Sequence, residues 1–128
     1  KEDAFDKPPP EKPISRQGDI WLLGRHKLIC GDSTKPETYS MLMDGQKASL
    51  IVTDPPYNVA YEGTAGTIKN DNMESKKFHE FLLAAIRCMY ENLVDGGSIY
   101  VFHADRETVN FRTAFAEAGF SATKPASG

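Results

Sequence analysis

Several things that would point outside a cell or into a membrane are missing from this sequence. It has no apolar run of the roughly 18 residues or more that a bilayer-crossing segment needs, so no membrane span is expected. It has no charged-then-apolar leader and begins on Lys1 rather than methionine, which reads as a piece cut from a longer protein. Cysteine is scarce. Cys30 and Cys88 are the only two, both in apolar segments, and they read as buried free thiols in a reducing compartment rather than a disulfide framework. There is no long Lys/Arg run and the net charge is −3, so an overall basic surface for nucleic acid has no support, though a local patch stays open. His26, His79 and His103 are scattered with no cysteine or carboxylate at ligand spacing, so no metal site is expected and the histidines read as surface or partly buried groups. No internal repeat is visible.

The rest is ordinary globular material. Its 128 residues are 40% hydrophobic and 26% charged, enough for one domain with a modest core. Residues 1–17, KEDAFDKPPPEKPISRQ, are charged and proline-rich with little to bury, and read as a flexible linker. From Gly18 the pattern changes. IWLL and KLIC flank Gly24 as a short hairpin. Thr34 to Glu37 fits a capping box opening a short helix with Tyr39, Leu42 and Met43 on its apolar face, ended by Asp44-Gly45. SLIVT (49–53) is apolar throughout, as strands covered on both faces are. Strand, helix and strand in this order would place Asp32 and Asp54 at one carboxyl edge of a parallel sheet, where open α/β sheets bind ligands.

Residues 58–74 read as a long, functional loop ordering over a ligand. Ser75 would cap a helix with Phe78, Leu82, Ala85, Met89 and Leu93 on one side, stopped by Gly96-Gly97. SIYVF (98–102) is a further buried strand. Asp105 would cap a helix with Val109, Arg112, Phe115 and Ala118 along one side, and FSAT (120–123) would begin a fourth strand. Trp21 reads as packing, and Lys69, Lys76 and Lys77 as a solvated helix start rather than a phosphate site. The fold class is α/β: a partial, mostly parallel Rossmann-like sheet, incomplete on its carboxyl-terminal side. Its parts are the linker 1–17, a folded α/β portion over 18–124 and a tail over 125–128.

The richest stretch is IVTDPPYN, residues 51–58. Two prolines push the residues before them toward extended backbone, so Asp54 and Pro55 leave the strand on a stiff path. An ionised Asp54 only accepts hydrogen bonds, and the Pro55 carbonyl also accepts. Two fixed acceptors followed by the aromatic face of Tyr57 suit a planar group bearing an NH₂. The alternative is a plain turn after a strand. Chance occurrence of DPPY in a chain of this length is about one in a thousand, and its position at the end of an apolar strand favours the chemical reading.

LICGDS followed by LIVTDPPYN resembles the DNA amino-methyltransferases that modify adenine N6 or cytosine N4. The likeness extends over GDIWLLGRHKLICGDST, TIKNDN and DGGSIYVFHAD, roughly residues 18–123. It is nearest to the permuted, β-type group, and the leading linker resembles forms that follow a ParB-like domain. The resemblance implies S-adenosyl-L-methionine as cofactor and double-stranded DNA with a flipped base as substrate. It implies Asp54, Pro55, Pro56 and Tyr57 as the catalytic motif, with Asp54 and the Pro55 carbonyl accepting from the target amine and Tyr57 stacking on the base. Asp32, together with Asp54, would hold the cofactor, Asn58 would orient the loop, and Asp71 recurs in the pattern without a mechanical role. A cytoplasmic protein of bacterial or phage origin, within a restriction-modification setting, is implied as well.

One departure stands out. The family's aromatic-Gly-x-Gly turn, which grips the cofactor's methionine part, is absent from the 128 residues. The chain therefore reads as the amino-terminal half of an enzyme, inactive alone, whose uncovered sheet edge invites a homodimer or self-association. Two rivals remain open at this point: a methylase of glutamine side chains or of RNA, and a non-catalytic fragment that binds nucleic acid or protein.

Overall fold

The structure, a computed structural model, describes residues 8, 11–12, 14–56, 58, 62–63, 66–67 and 74–121. The expected hairpin is formed by β1 (Ile20–Leu23) and β2 (His26–Ile29), antiparallel, with Leu23 opposite His26. Gly24 takes φ +64° in the two-residue turn, a value that only glycine adopts freely. The hairpin carries little cover: Trp21 is 42% exposed rather than packed, and Cys30 just after β2 is exposed, so only Cys88 is the buried thiol the sequence suggested.

Helix α1 (Pro36–Met43) follows, with Tyr39, Leu42 and Met43 half-buried. The expected capping box is not made. Lys35 is the N-cap, without a side-chain bond, and Thr34 lies before it in a turn closed by Asp32. Asp44 ends the helix in the left-handed region at φ 49°.

The parallel pair is β3 (Ala48–Thr53) with the later β6 (Leu93–Val101). The connection between them holds a small antiparallel ribbon, β4 (Glu62–Gly63) with β5 (Gly66–Thr67), inside what the sequence suggested was plain loop. It then holds α2 (Ser75–Glu91), which brings the chain back to the amino end of the sheet. That is the crossover a parallel pair requires. The sequence placed the crossover one step earlier, between β2 and β3. β2 instead stays in its own two-stranded sheet, its ladder completed by β1. The mixed α/β class stands, with the parallel sheet small and partial.

Glu74, not Ser75, is the N-cap of α2, and the helix stops at Asn92 rather than at the glycine pair. The Asn92 side chain turns back to donate to the Cys88 carbonyl at 2.8 Å. Gly96 and Gly97 lie inside β6, where pairing jumps from Ala48–Leu93 to Leu50–Ser98. A 3₁₀ turn (Asp105–Glu107) leads into α3 (Thr108–Ala118), so Asp105 starts the turn instead of capping α3. Phe120 and Ser121 are not in a strand, and Ala122–Thr123 lie outside the described residues, as does most of the linker.

The core lies between α2 and α3, under one face of the sheet. Phe78, Leu82, Ile86, Phe111 and Ala114 form it, with Val101, Phe115 and Ala118 packed against it. Phe78 and Phe111 meet edge to face at 5.9 Å, a favoured aromatic geometry. On α3 the buried stripe is shifted from the expected one: Phe111 and Ala114 are buried, Arg112 is exposed and Val109 is 76% exposed. On the other face of the sheet Leu50, Val52, Tyr100 and Phe102 stand exposed. SLIVT is therefore covered on one face, not two, because α2 and α3 pack on the same side through Val101.

Phe111→Ala should cost about 3–5 kcal/mol, the sum of lost transfer energy and the cavity left behind. Val109→Ala should stay within about 0.5 kcal/mol. Urea unfolding of the two variants checks this, and equal midpoint shifts would mean α3 is rotated from the orientation described.

Candidate functional site

The carboxyl ends of β3 and β6 lie side by side. The ladder runs one bond past the strands, with the Phe102 amide donating to the Thr53 carbonyl at 3.1 Å. Whatever follows Thr53 is thus set next to whatever follows Phe102. After Thr53 comes Asp54, exposed, then Pro55 and Pro56, both half-buried. The stiff path expected from the proline pair therefore leaves the sheet with its acid facing solvent and its rings partly packed.

Asn58 closes the turn. It is 7% exposed and sits in the left-handed region at φ 57°, a conformation asparagine tolerates better than other non-glycine residues. Its backbone carbonyl accepts from the Arg106 guanidinium, and its side-chain amide donates to Glu107 Oε1 at 3.3 Å. Glu107 Oε2 accepts from Asn110 Nδ2 at 2.7 Å, and the same amide donates to Ser75 Oγ at 3.1 Å. One carboxylate thereby ties together the turn after β3 and the first turn of α3, which is tied in turn to the start of α2. The nearby His103 ring is stacked on Phe111 at 4.9 Å, resting the segment after β6 on the core.

Arg106, Glu107 and Asn110 were not singled out in the sequence. Their only signal there is a charged cluster, HADRE, just past an apolar strand, and which partner it would meet depends on strand pairing. Tyr57, Asp71 and Lys69 lie outside the described residues, as does most of segment 58–74, for which the sequence suggests ordering over a ligand. Lys76 and Lys77 are exposed at the start of α2.

Asp32 is elsewhere. Its Oδ1 accepts from the Thr34 amide at 2.9 Å and from the Thr34 hydroxyl at 2.7 Å, closing a tight local turn. The Thr34 carbonyl accepts from the Cys88 thiol at 3.8 Å, so this turn rests on the last third of α2. Ser75, at the other end of α2, belongs to the Asn58 network. Thirteen residues of helix separate the two points, about 20 Å at 1.5 Å per residue. Asp32 and Asp54 are therefore not brought to one edge, because β2 pairs with β1 and not with β3. A cavity of about 560 Å³, lined by Lys47, Tyr90, Asp95, Gly96 and Phe120 among others, also opens at the amino end of the sheet, away from Asp54.

Residues 48–124, which include the parallel pair and the turn after β3, match the DNA methylase family of N6/N4 type. The chain belongs to that family. DNA is accordingly the substrate, and transfer of a methyl group to a base amine the reaction, of the kind of enzyme this DNA methylase chain represents. No curated protein and no solved structure matches the chain. Among the described residues, no helix of the methylase is long and apolar enough to cross a membrane.

The Tyr39 hydroxyl, which donates to the Ser33 carbonyl at 2.9 Å, is pushed up from 10.0 to about 12 by burial first, then by Cys88 and Asp32. Burial also raises the Cys88 thiol, with Glu91, Glu37 and Asp32 adding to it. A folded phenol that holds its proton to about 12 while the unfolded one releases it near 10.0 binds more protons than the unfolded chain in that interval. Stability is thus fully present below pH 10 and falls as pH rises toward 12. Tyr39→Phe should remove part of that fall. Urea midpoints of the two proteins measured from pH 8 upward should converge above pH 10, and parallel curves would contradict the burial of the hydroxyl.

Proposed function

We propose that this chain carries the amine-holding half of an S-adenosyl-L-methionine-dependent DNA methyltransferase acting on adenine N6, in double-stranded DNA with the target base flipped out. The observation that carries the reading is the family match combined with an exposed Asp54 and a proline-stiffened turn at the carboxyl end of a parallel strand. Cytosine N4 would present the same amine to the same acceptors; adenine is the assignment we make. The permuted order, a preceding ParB-like domain, a linker over 1–17, further chain after residue 128, and a cytoplasmic enzyme belong to the same proposal.

The chemistry assigned to the turn is simple. An exocyclic amine has its lone pair spread into the ring. The Asp54 carboxylate and the Pro55 carbonyl each accept one of its hydrogens, which holds the nitrogen in place and favours the form with density on nitrogen. As the C–N bond forms, the nitrogen gains positive charge, and Asp54 stabilises it through a fixed, preorganised dipole and charge. Pro56 keeps the segment from bending, and Tyr57 offers a ring for stacking on the base. The donor supplies the methyl group from its sulfonium. Asp32, whose carboxylate accepts from Thr34, stands apart from Asp54 and would hold the end of the donor away from the reacting amine.

Asp54→Ala in the full-length enzyme should lower turnover by about a hundredfold or more, the usual effect of removing one fixed group of this kind. Binding of the methyl donor should be largely kept. Methyl transfer to mixed-sequence DNA, with the modified base identified by mass spectrometry, measures the turnover, and calorimetry against S-adenosyl-L-methionine measures the binding; near-normal turnover would end the assignment, and methylcytosine would correct the base. The exposed face of Leu50, Val52, Tyr100 and Phe102 supports a second expectation. The 128-residue chain alone should sediment as a dimer or larger species, and a clean monomer at high concentration would show that this face is protected.

A further inference from the structure

We propose that Arg106 and Glu107 are positioning residues that hold the turn after β3 in its working shape by gripping Asn58 at two points. The proposal rests on the reading of Asp54 and Pro55 as amine acceptors. Two prolines make the segment stiff, but a stiff segment aims nothing unless its far end is also held. Asn58 is that far end. Its left-handed backbone is one that asparagine adopts at small cost, so its place is set by what encloses it, and it is nearly fully buried.

The surroundings are Arg106 on the backbone carbonyl and Glu107 on the side-chain amide. Both bonds involve a charged partner, and such bonds are stronger than neutral ones. Arg106 and Glu107 are neighbours on the 3₁₀ turn between β6 and α3. That turn is braced by Thr108 Oγ1, which donates to the Asp105 carbonyl at 2.6 Å. Asn110 holds the second oxygen of Glu107, and the adjacent Phe111 is 1% exposed in the core. The clamp therefore refers the acceptor turn to the packed core and not to solvent. Neither residue needs to touch DNA or cofactor to do this.

Kinetics of the full-length enzyme test it. Arg106→Ala and Glu107→Ala should each lower kcat by about ten- to a hundredfold, as misplacement of a reacting group does, with KM for DNA almost unchanged. Arg106→Lys and Glu107→Gln should recover part of the loss, since lysine keeps a donor for the carbonyl and glutamine an acceptor for the amide. Asn58→Gly guards against variants that fail to fold. It takes the left-handed bend without cost and keeps the carbonyl for Arg106, but removes the amide. It should reproduce the loss seen in Glu107→Ala and add nothing to it in the double variant. Hydrogen exchange of the peptide spanning residues 54–58 should be faster in Arg106→Ala and Glu107→Ala than in wild type.

A loss carried by KM, with a shallower salt dependence, would make Arg106 a phosphate contact and overturn the proposal. Additive effects of Asn58→Gly and Glu107→Ala, or no gain from lysine and glutamine over alanine, would overturn it too. If the wild-type enzyme transfers no methyl group, the functional reading fails; the exchange rates then decide the clamp by themselves, and rates equal to wild type would remove it.

Discussion

Parallel pairing of β3 with β6 is the constraint from which the rest of the arrangement follows. Adjacent parallel strands end at the same edge, and the chain must travel the full height of the sheet to make the pair. α2 supplies that return. Because α2 must then lie against the sheet, its Phe78, Leu82 and Ile86 face Phe111 and Ala114 of α3, and a core forms on one side only. The same pairing sets the segment after Thr53 beside the segment after Phe102. Without it Asn58 and Arg106 would have no reason to meet.

The turn after β3 is divided in its exposure. Asp54 is open to solvent, the prolines are half-buried, and Asn58 is enclosed. The first part is thus open to contact from outside, and the last part is enclosed by the protein. Hydrogen bonds to charged groups hold the enclosed end, where an unpaired amide or carbonyl would carry a desolvation cost. A separate contact, His79 Nε2 to Glu117 Oε1 at 3.3 Å, joins α2 to α3.

Much of this was legible in the residues, and the failures have physical causes. The glycine hairpin, the apolar strands and the face of α2 through Phe78, Leu82 and Ala85 follow from local pattern, which acts over a few residues. Spacing alone extends that face to Leu93, because it cannot see where a helix stops, and Asn92 stops it with a side-chain bond to the Cys88 carbonyl. On α3, Val109 and Phe111 compete for the buried side. Phe111 wins because Phe78 and His103 are there to receive its ring. The expected cap at Thr34 gives way to Lys35, because Asp32 closes its own turn over the Thr34 amide. Whether β2 or β6 joins β3 is a long-range choice that local pattern cannot make, and it sets Asp32 and Asp54 apart. The chemistry of the turn after β3 could be proposed from four letters, whereas the residues that hold the turn could not, since Asn58 and Arg106 are neighbours only after folding.

The uneven pairing of β6 with β3 has a consequence of its own. Two steps along β3, from Ala48 to Leu50, are matched by five along β6, from Leu93 to Ser98. From Leu50 onward the strands advance one for one up to Thr53 and Val101. The slack in the junction is thus taken up at the floor of the sheet, in Val94–Gly97, where Gly96 turns at φ +74°. The roof of the sheet inherits none of it. Variation in the length of the helix-to-strand join is in this way mechanically insulated from the edge where Asp54 stands, so that the two ends of one strand answer to separate tolerances.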